Sequence, residues 1–344
     1  MQTIHFALMG GCDAFVGGGA VRLLGQEAAK AFTGRKAALI TDSGVPAEHI
    51  ALCEAELKKA GKEPVRLVLP AGEPNKTLAA AESICSFLYE NGFTRSDGVV
   101  CAGGGVPLDI AGFAAAIYMR GIAFVSVPTT LIAQTDSAYG GKTGVDFREG
   151  KNLIGCFSQP KAVVCDTDFL RTLPERELAC GMGEVIKYGA AAEPEILSRV
   201  SRAIPDDDTV AECVRIKRRF AEEDFYDTGV RRVLNFGHTF GHAFEAASGY
   251  SLSHGQAVAY GMLAAIRLGQ KLGATRPGVY EAVLSAIKSA GLGADYGELW
   301  EGAKALIRRD KKSDGSGIAF VLLEDLGRPV ISRLSVDRIL NSMK

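Results

Sequence analysis

At 344 residues the chain exceeds what one hydrophobic core usually organises, so two domains are expected. With 47% hydrophobic and 23% charged residues and a formal net charge of -1, the composition is that of an ordinary globular protein, with no overall field to favour nucleic acid or membrane. No apolar run approaches the roughly 20 residues of a membrane span, and the N-terminus MQTIHFALMGGCDAF lacks the basic and long apolar stretches of a secretory signal, so a cytoplasmic location is expected.

Taken in chain order, the first half alternates short apolar runs with amphipathic ones. KAALITDSG, VRLVLPAGE, GVVCAGGG, IAFVSVPTT and AVVCDTD are near-continuously apolar, as strands covered on both faces are. Between them PAEHIALCEAELKKAG and TLAAAESICSFLYENG carry helical spacing and end at Gly61 and Gly92. This succession predicts a doubly wound α/β domain with a parallel sheet. TDSAYGGKTGVDFREGKNLIG (135–155) is glycine-rich and polar, and is expected to be a long irregular loop. From Thr172 helical patterns dominate through residue 312, with Pro174 opening the first helix. GIAFVLLEDLGRPVISRL then predicts a hairpin turning around Gly327 and Pro329. The expected division is 1–173 as the α/β domain and 174–344 as a mainly α-helical one. The eight cysteines are scattered without CxxC pairs, which fits reduced thiols used as small apolar side chains.

Three of the five histidines, His238, His242 and His254, fall in the single run LNFGHTFGHAFEAASGYSLSHGQ. His238 and His242 are four apart, on one face of a helix. A serine- and glycine-rich stretch can return His254 toward them, and Glu184 in GMGEVIKYG can add a carboxylate. Two imidazoles and a carboxylate with an open position are the usual donor set of a catalytic divalent metal. Arg231 and Asn235 lead directly into these histidines, so one helix is expected to carry all four as a polar stripe beside Phe236, Phe240 and Phe244. The glycines at 103–105 follow a strand and open a helix, the setting in which backbone N–H groups hold a pyrophosphate, although G-x-G-x-x-G is absent. Asp42 at a strand end suits either a ribose hydroxyl or a turn. Glu73, Lys76, Asp136, Lys142, Lys151, Asn152, Lys187 and Lys217 add charge and amide groups whose ordinary alternative is a solvated surface. Together these features imply nicotinamide-linked, metal-assisted chemistry on a small anionic polyol.

GGGVPLDIAGFAAA, RGIAFVSVPTTLIAQTDSAYGGKTGVD, GKNLIG, QPKAVVCDTDFLRTLPERELACGMGEVIKYG, RRVLNFGHTFGHAFE and SHGQAVAYGM resemble, in order and over most of the chain, the 3-dehydroquinate synthases of the sugar-phosphate cyclase family. The resemblance implies a Rossmann-like NAD-binding domain followed by a mainly helical domain that binds metal and substrate, in a homodimer. It assigns the metal, Zn2+ first and Co2+ second, to Glu184, His238 and His254, and leaves His242 to proton transfer. Lys142, Lys187, Arg231 and Asn235 join His242 as catalytic residues and, with Lys217, hold the substrate's carboxylate and hydroxyls. Arg120 (from the partner subunit), Lys151 and Asn152 surround its phosphate. Asp136 contacts substrate as well, as does Lys311 or its neighbour Lys312. For NAD the resemblance implies Asp42, Glu73, Lys76, Gly104, Gly105, Val106, Asp109, Thr129, Thr130, Asp136, Ser137, Lys142 and Lys151. Gly44 and Tyr139 depart from the family pattern.

The implied reaction converts 3-deoxy-D-arabino-heptulosonate 7-phosphate to 3-dehydroquinate and phosphate, within the shikimate pathway toward chorismate and the aromatic amino acids. It runs through transient oxidation with NAD, β-elimination of phosphate, reduction, and intramolecular aldol closure, so the enzyme is a lyase that uses redox chemistry. A cyclase making another cyclitol, an NAD-dependent polyol dehydrogenase and a catalytically silent metal-binding or scaffold protein are the alternatives; the complete set of candidate reactive groups argues against the last. Arg231, Asn235 and the DKK segment at 310–312 favour a carboxylate-bearing substrate over the other cyclase, and a dehydrogenase has no need for so many phosphate- and carboxylate-directed cations.

Overall fold

The structure, a computed structural model, describes residues 1–148, 150–310 and 317–343. Lys311 lies outside the described residues. The chain forms two compact units, Met1–Pro174 with Asp206–Tyr226, and Glu175–Pro205 with Asp227–Lys344.

The first unit is built on a seven-stranded sheet in the order β1-β2-β9-β6-β5-β3-β4. Its strands are β1 (Gln2–Phe6), β2 (Cys12–Val16), β3 (Lys36–Asp42), β4 (Glu63–Leu69), β5 (Gly98–Gly103), β6 (Ala123–Pro128) and β9 (Ala162–Cys165), with β7 (Lys142–Phe147) and β8 (Gly150–Phe157) in a separate hairpin. All the sheet's ladders are parallel except β1 against β2. Helices α1 (Leu24–Ala31), α2 (Ala47–Lys59), α3 (Leu78–Glu90) and α4 (Gly105–Ile117) connect the strands. The five apolar runs read from the sequence are β3, β4, β5, β6 and β9. In β5 and β9 every residue is buried, because helices cover both faces. One core cluster joins Leu24 and Phe32 of the α1 segment and Ile50 and Leu57 of α2 to Leu39, Val100, Val125 and Val164 of the sheet, all at most 4% exposed. Burial of each such side chain contributes roughly 1.5–3 kcal/mol before entropy is set against it.

The sequence reading needs four corrections. First, β1 and β2 were not expected; each is five residues long and alternates buried with more exposed positions. Second, the segment 135–155 is not an irregular loop. One π-helical turn occupies Ala133–Ser137, and the β7–β8 hairpin follows. Gly144 and Gly155 face each other there so closely that a Cβ on Gly155 would lie 2.1 Å from the Thr143 carbonyl oxygen, and these glycines hide the strand pattern. Third, 174–344 does not stay together. After helix α5 (Glu175–Ala191) of the second unit, helix α6 (Asp207–Glu223) belongs to the first. There Thr167 donates to Asp207 at 2.6 Å, Gln2 donates to Asp208 at 2.7 Å, and the Ala7 N–H donates to Glu222 at 2.7 Å.

The fourth correction lies in the second unit, which contains α5, α7 (His238–Ala247), α8 (His254–Lys271), α9 (Val279–Ser289), α10 (Trp300–Asp310), the antiparallel pair β10 (Ile318–Asp325) and β11 (Arg328–Leu334), and α11 (Val336–Ser342). The polar stripe from Arg231 to His242 is not on one helix. Val230–Asn235 is a short 3-10 segment, and Gly237, at φ 81°, breaks it from α7. A Cβ on Gly237 would meet the backbone nitrogen of Met262 at 2.9 Å, so both the bend and the close approach need glycine. Phe236, Phe240 and Phe244 are fully buried, with Phe240 against Trp300 and Phe320, and Phe244 against Tyr260, Tyr296 and Trp300. The aromatic stripe is therefore core, and only its polar neighbour is left for chemistry. In the hairpin, Gly327 (φ 70°) makes the turn, whereas Pro329 pairs with Leu323 inside β11.

Candidate active site

In the second unit, three helix segments bring donor atoms to one point. Glu184 and Lys187 stand one turn apart on α5, His238 is the first residue of α7, and His254 is the first residue of α8, capped by the Ser253 side chain accepting from the Gln256 N–H. The helices meet through glycines. A Cβ on Gly255 would fall 1.9 Å from the Cys180 carbonyl oxygen, so no larger residue allows α8 to start so close to α5. Glu184 and Lys187 are 1% and 2% exposed and form an ion pair through Glu184 Oε2. Glu184 Oε1 lies 3.5 Å from His238 Nε2 and 3.3 Å from His254 Nε2.

The ring orientations have identifiable causes. His238 Nδ1 is 3.3 Å from the Phe236 carbonyl oxygen, which can only accept; with the proton on Nδ1, Nε2 offers its lone pair to a cation placed beside Glu184. Burial pushes the His238 pKa down to about 3 against the opposing pull of Glu184, so this ring is neutral at pH 7. For His254 burial also works against the charged form, but hydrogen bonds to Glu184 and Glu245 outweigh it and raise the pKa to about 9. Two imidazoles of one cluster are thus driven in opposite directions.

This donor set fits a divalent metal. Ligand bonds of about 2.1 Å in tetrahedral geometry put neighbouring donor atoms about 3.4 Å apart. The two contacts to Glu184 Oε1 bracket that figure, and all three ligand atoms lie within 4.8 Å of one another. His242 is exposed, its ring centroid 5.5 Å from that of His238 and 6.2 Å from that of His254. Arg231 is 2% exposed, and Asn235 is exposed at the end of the 3-10 segment. Glu245, which the sequence reading did not single out, is 4% exposed, and its Oε1 lies 3.5 Å from His254 Nδ1. Its position three residues after His242 on α7 was the available signal.

The first unit gathers the other expected residues. Lys76 Nζ donates to Asp109 Oδ2 at 2.6 Å and to Asn152 Oδ1 at 2.5 Å, and is 5% exposed. Burial pushes the Asp109 carboxyl up to about 6 despite Lys76. Burial would lower Lys76, but Asp109 prevails and raises it. Asn152 is held at φ 56° by its N–H donating to Asp146 at 2.7 Å. Lys217 donates to Asp136 at 2.8 Å, and Lys151 stands 3.7 Å from Glu73. Asp42 accepts from the Gly44 N–H at 2.9 Å, so the turn alternative is realised while its half-buried carboxyl, pushed up by burial, remains at the end of β3. Tyr139 is buried and stacks on Phe6. Lys142 and Arg120 are exposed, Arg120 at φ 65°.

The N-terminus of α4 suits a dinucleotide phosphate. Gly104 occupies the cap without a side-chain hydrogen bond, Gly105 opens the helix, and Val106 follows. Thr130 and Ser137 stand where a Cβ on Gly104 or Gly105 would meet them at 3.2 and 3.1 Å, and the Thr129 N–H donates to the Gly103 carbonyl at 2.9 Å. The buried Ser137 hydroxyl has no hydrogen-bond partner among the described residues. Bare backbone with an orphaned hydroxyl beside it is the cradle such a ligand needs.

Residues 66–180 match the family description "3-dehydroquinate synthase N-terminal" and residues 181–313 match "3-dehydroquinate synthase C-terminal". The chain is 40% identical to a 3-dehydroquinate synthase of Clostridium acetobutylicum over 344 aligned residues, covering 97% of each chain. It is 43% identical to one of Geobacter metallireducens over 315, covering 88% of this chain and 87% of the relative. Among solved structures, a 2-deoxy-scyllo-inosose synthase complexed with carbaglucose-6-phosphate, NAD+ and Co2+ superposes with a TM-score of 0.87 at 24% identity, covering 99% of both chains. A 2-epi-5-epi-valiolone synthase from Streptomyces hygroscopicus with NAD+ and Zn2+ gives 0.83 at 24% identity, covering 100% of this chain and 97% of that one. These two likenesses establish the fold. The family models across most of the chain and the near-full-length identity go further: the chain belongs to the 3-dehydroquinate synthase family.

Proposed function

We propose that this protein converts 3-deoxy-D-arabino-heptulosonate 7-phosphate to 3-dehydroquinate and phosphate, using NAD and a divalent metal. The observation that carries the reading is the convergence of Glu184, His238 and His254 on one point, in a chain 40% identical along 97% of its length to a 3-dehydroquinate synthase.

Glu184, His238 and His254 would hold the metal, with Zn2+ expected first and Co2+ as an alternative. Asp42, Glu73, Lys76, Asp109, Thr129, Thr130, Ser137 and the glycine-opened N-terminus of α4 would hold NAD. Bound together, the two groups supply a Lewis acid for the substrate's hydroxyls and a reversible hydride acceptor. The chain's own residues do the rest. Lys187, buried against Glu184, holds that carboxylate in place through their ion pair. His242, exposed beside the donor cluster, takes and returns the hydroxyl proton, which a ring not committed to metal can do near neutral pH. Arg231, Asn235, Lys142 and Lys217 recognise carboxylate and hydroxyls, Arg231 supplying two parallel donors. Lys151 and Asn152 take the phosphate, where cationic and amide donors stabilise the leaving dianion. Fixing a flexible seven-carbon acid in one pose lowers the barrier further.

The working unit is read as a homodimer in which Arg120, exposed on its own chain, serves the partner's phosphate site. A cytoplasmic location is supported by eight free cysteines, six of them buried. No helix of the described residues is long and apolar enough to cross a membrane.

The test is direct. Purified protein with metal, NAD and the heptulosonate phosphate should release phosphate and 3-dehydroquinate in equal amounts. Turnover of a hexose 6-phosphate in its place would assign the chain to another cyclase reaction.

A further inference from the structure

Reading Glu184, His238 and His254 as metal ligands leaves a buried carboxylate beside them with no part in the reaction. Glu245 is 4% exposed, and a buried carboxylate is retained only when a partner offsets its lost hydration. It lies seven residues after His238 and three after His242, so all three share one face of α7. Its Oε1 is 3.5 Å from His254 Nδ1, while Nε2 of the same ring is 3.3 Å from Glu184 Oε1. The two nitrogens of one imidazole are thus each set against a carboxylate, on opposite edges of the ring.

We propose that Glu245 is a positioning residue for His254: it accepts the Nδ1 proton, fixes the tautomer with its lone pair on Nε2, and so aims Nε2 at the point shared with Glu184 and His238. The arrangement parallels that of His238, whose Nδ1 faces the Phe236 carbonyl oxygen and whose Nε2 faces Glu184. The difference is that His254 is oriented by a full negative charge, which raises the basicity of the ring as a ligand, whereas His238 is oriented by a neutral carbonyl. The orienting group is needed more at His254. That side chain is 30% exposed against 16% for His238, so packing restrains it less.

The competing arrangement makes Glu245 itself a ligand, since His242, Glu245 and His254 also place ligand atoms within 4.8 Å of one another. That set would turn His254 Nδ1 or the exposed His242 into a donor and abandon the buried, Lys187-braced Glu184.

The inference rests on the metal reading above, and metal binding by the metal-free protein separates the two. Full-length wild type, Glu245→Leu and Glu245→Gln are stripped of metal, checked for fold by circular dichroism, and titrated with Zn2+ against a chromophoric chelator and with Co2+ by visible absorption. Wild type should bind one ion per chain. Glu245→Leu should bind it about 10- to 100-fold more weakly, with shifted Co2+ bands. Glu245→Gln should fall between, because its amide oxygen still accepts from Nδ1 without the charge. A side chain that only fills space would alter metal-free stability and leave the Co2+ bands and affinity unchanged; that outcome in the folded variants overturns the proposal. Two ions in wild type with one lost in Glu245→Leu also overturns it, by making Glu245 a ligand. A wild-type chain that binds no ion would remove the metal reading on which the proposal stands.

Discussion

Both units pair buried lysines with carboxylates, but they differ in what stands beside the pairs. In the first, Lys76 is matched by Asp109 and Asn152 and Lys217 by Asp136, so each cation carries its counter-charge with it. In the second, Lys187 likewise pairs with Glu184 Oε2, but Oε1 of the same carboxylate faces two imidazoles, one pushed down to about 3 and the other up to about 9. A self-neutralised network at strand and helix ends suits a ligand that comes and goes, whereas a converging donor set is completed only by a cation. The lesson is that both centres are dense in charge, and what separates their chemistry is whether further donor atoms converge beside the balanced pair.

The largest expected effect separates the histidines of the second unit. His254→Ala should lower metal content and reduce kcat/KM by about 10^3-fold or more, since the proposed ligand set loses a donor. His242→Ala should retain its metal and slow turnover by about 10^2- to 10^4-fold. Metal analysis alongside kinetics decides this, and the reverse pattern of loss would exchange the two roles.

The balance in the first unit can be broken by Lys76→Met, which leaves Asp109 buried without its cation. Stability should fall by on the order of 3 kcal/mol, read by urea denaturation. A loss under about 0.5 kcal/mol would mean that the network is not balanced as described. A smaller effect tests how the second unit brings its donors together. Gly255→Ala forces α8 away from the Cys180 carbonyl, should cost about 1–3 kcal/mol, and should weaken metal binding in step. Unchanged metal affinity would show that the helix contact does not set the ligand geometry.

The smallest effect is a pH dependence. The folded pKa of Asp109, about 6, lies above its ordinary 3.8, so the native state keeps a proton that the unfolded chain has released. Its contribution to stability is therefore fully present below pH 3.8 and is lost as pH rises through 6. Between pH 5 and 7 the stability of wild type relative to Asp109→Asn should fall by about 1 kcal/mol. Parallel pH dependences in the two proteins would contradict this.

How much the sequence revealed depended on how local the determinant was. The buried parallel strands were legible because burial on both faces leaves uninterrupted apolar runs, as in GVVCAG. The histidine cluster was legible because histidine is scarce and its spacing is helical. What was missed depends on distant partners. The β7–β8 hairpin is disguised by glycines that only the opposing strand explains. Gly237 separates Arg231 and Asn235 from the histidines because α8 passes behind it. Helix α6 carries no mark of the unit it joins, since its amphipathic face would serve either. Glu245 reads as an ordinary helix glutamate until His254 returns to it through a loop. The proposed metal set was separated from the i, i+4 pair only by the resemblance. Spacing alone puts His242 beside His238, and the fold pairs His238 with His254 across Glu184.

The central claim is that oxidation and reduction both occur within one turnover. It is tested by supplying NAD far below the concentration of the heptulosonate phosphate and following NADH absorbance together with phosphate and 3-dehydroquinate. The account predicts many molecules of product per NAD with no net NADH at the end. Accumulation of NADH, or product that stops at one equivalent of NAD, would contradict it.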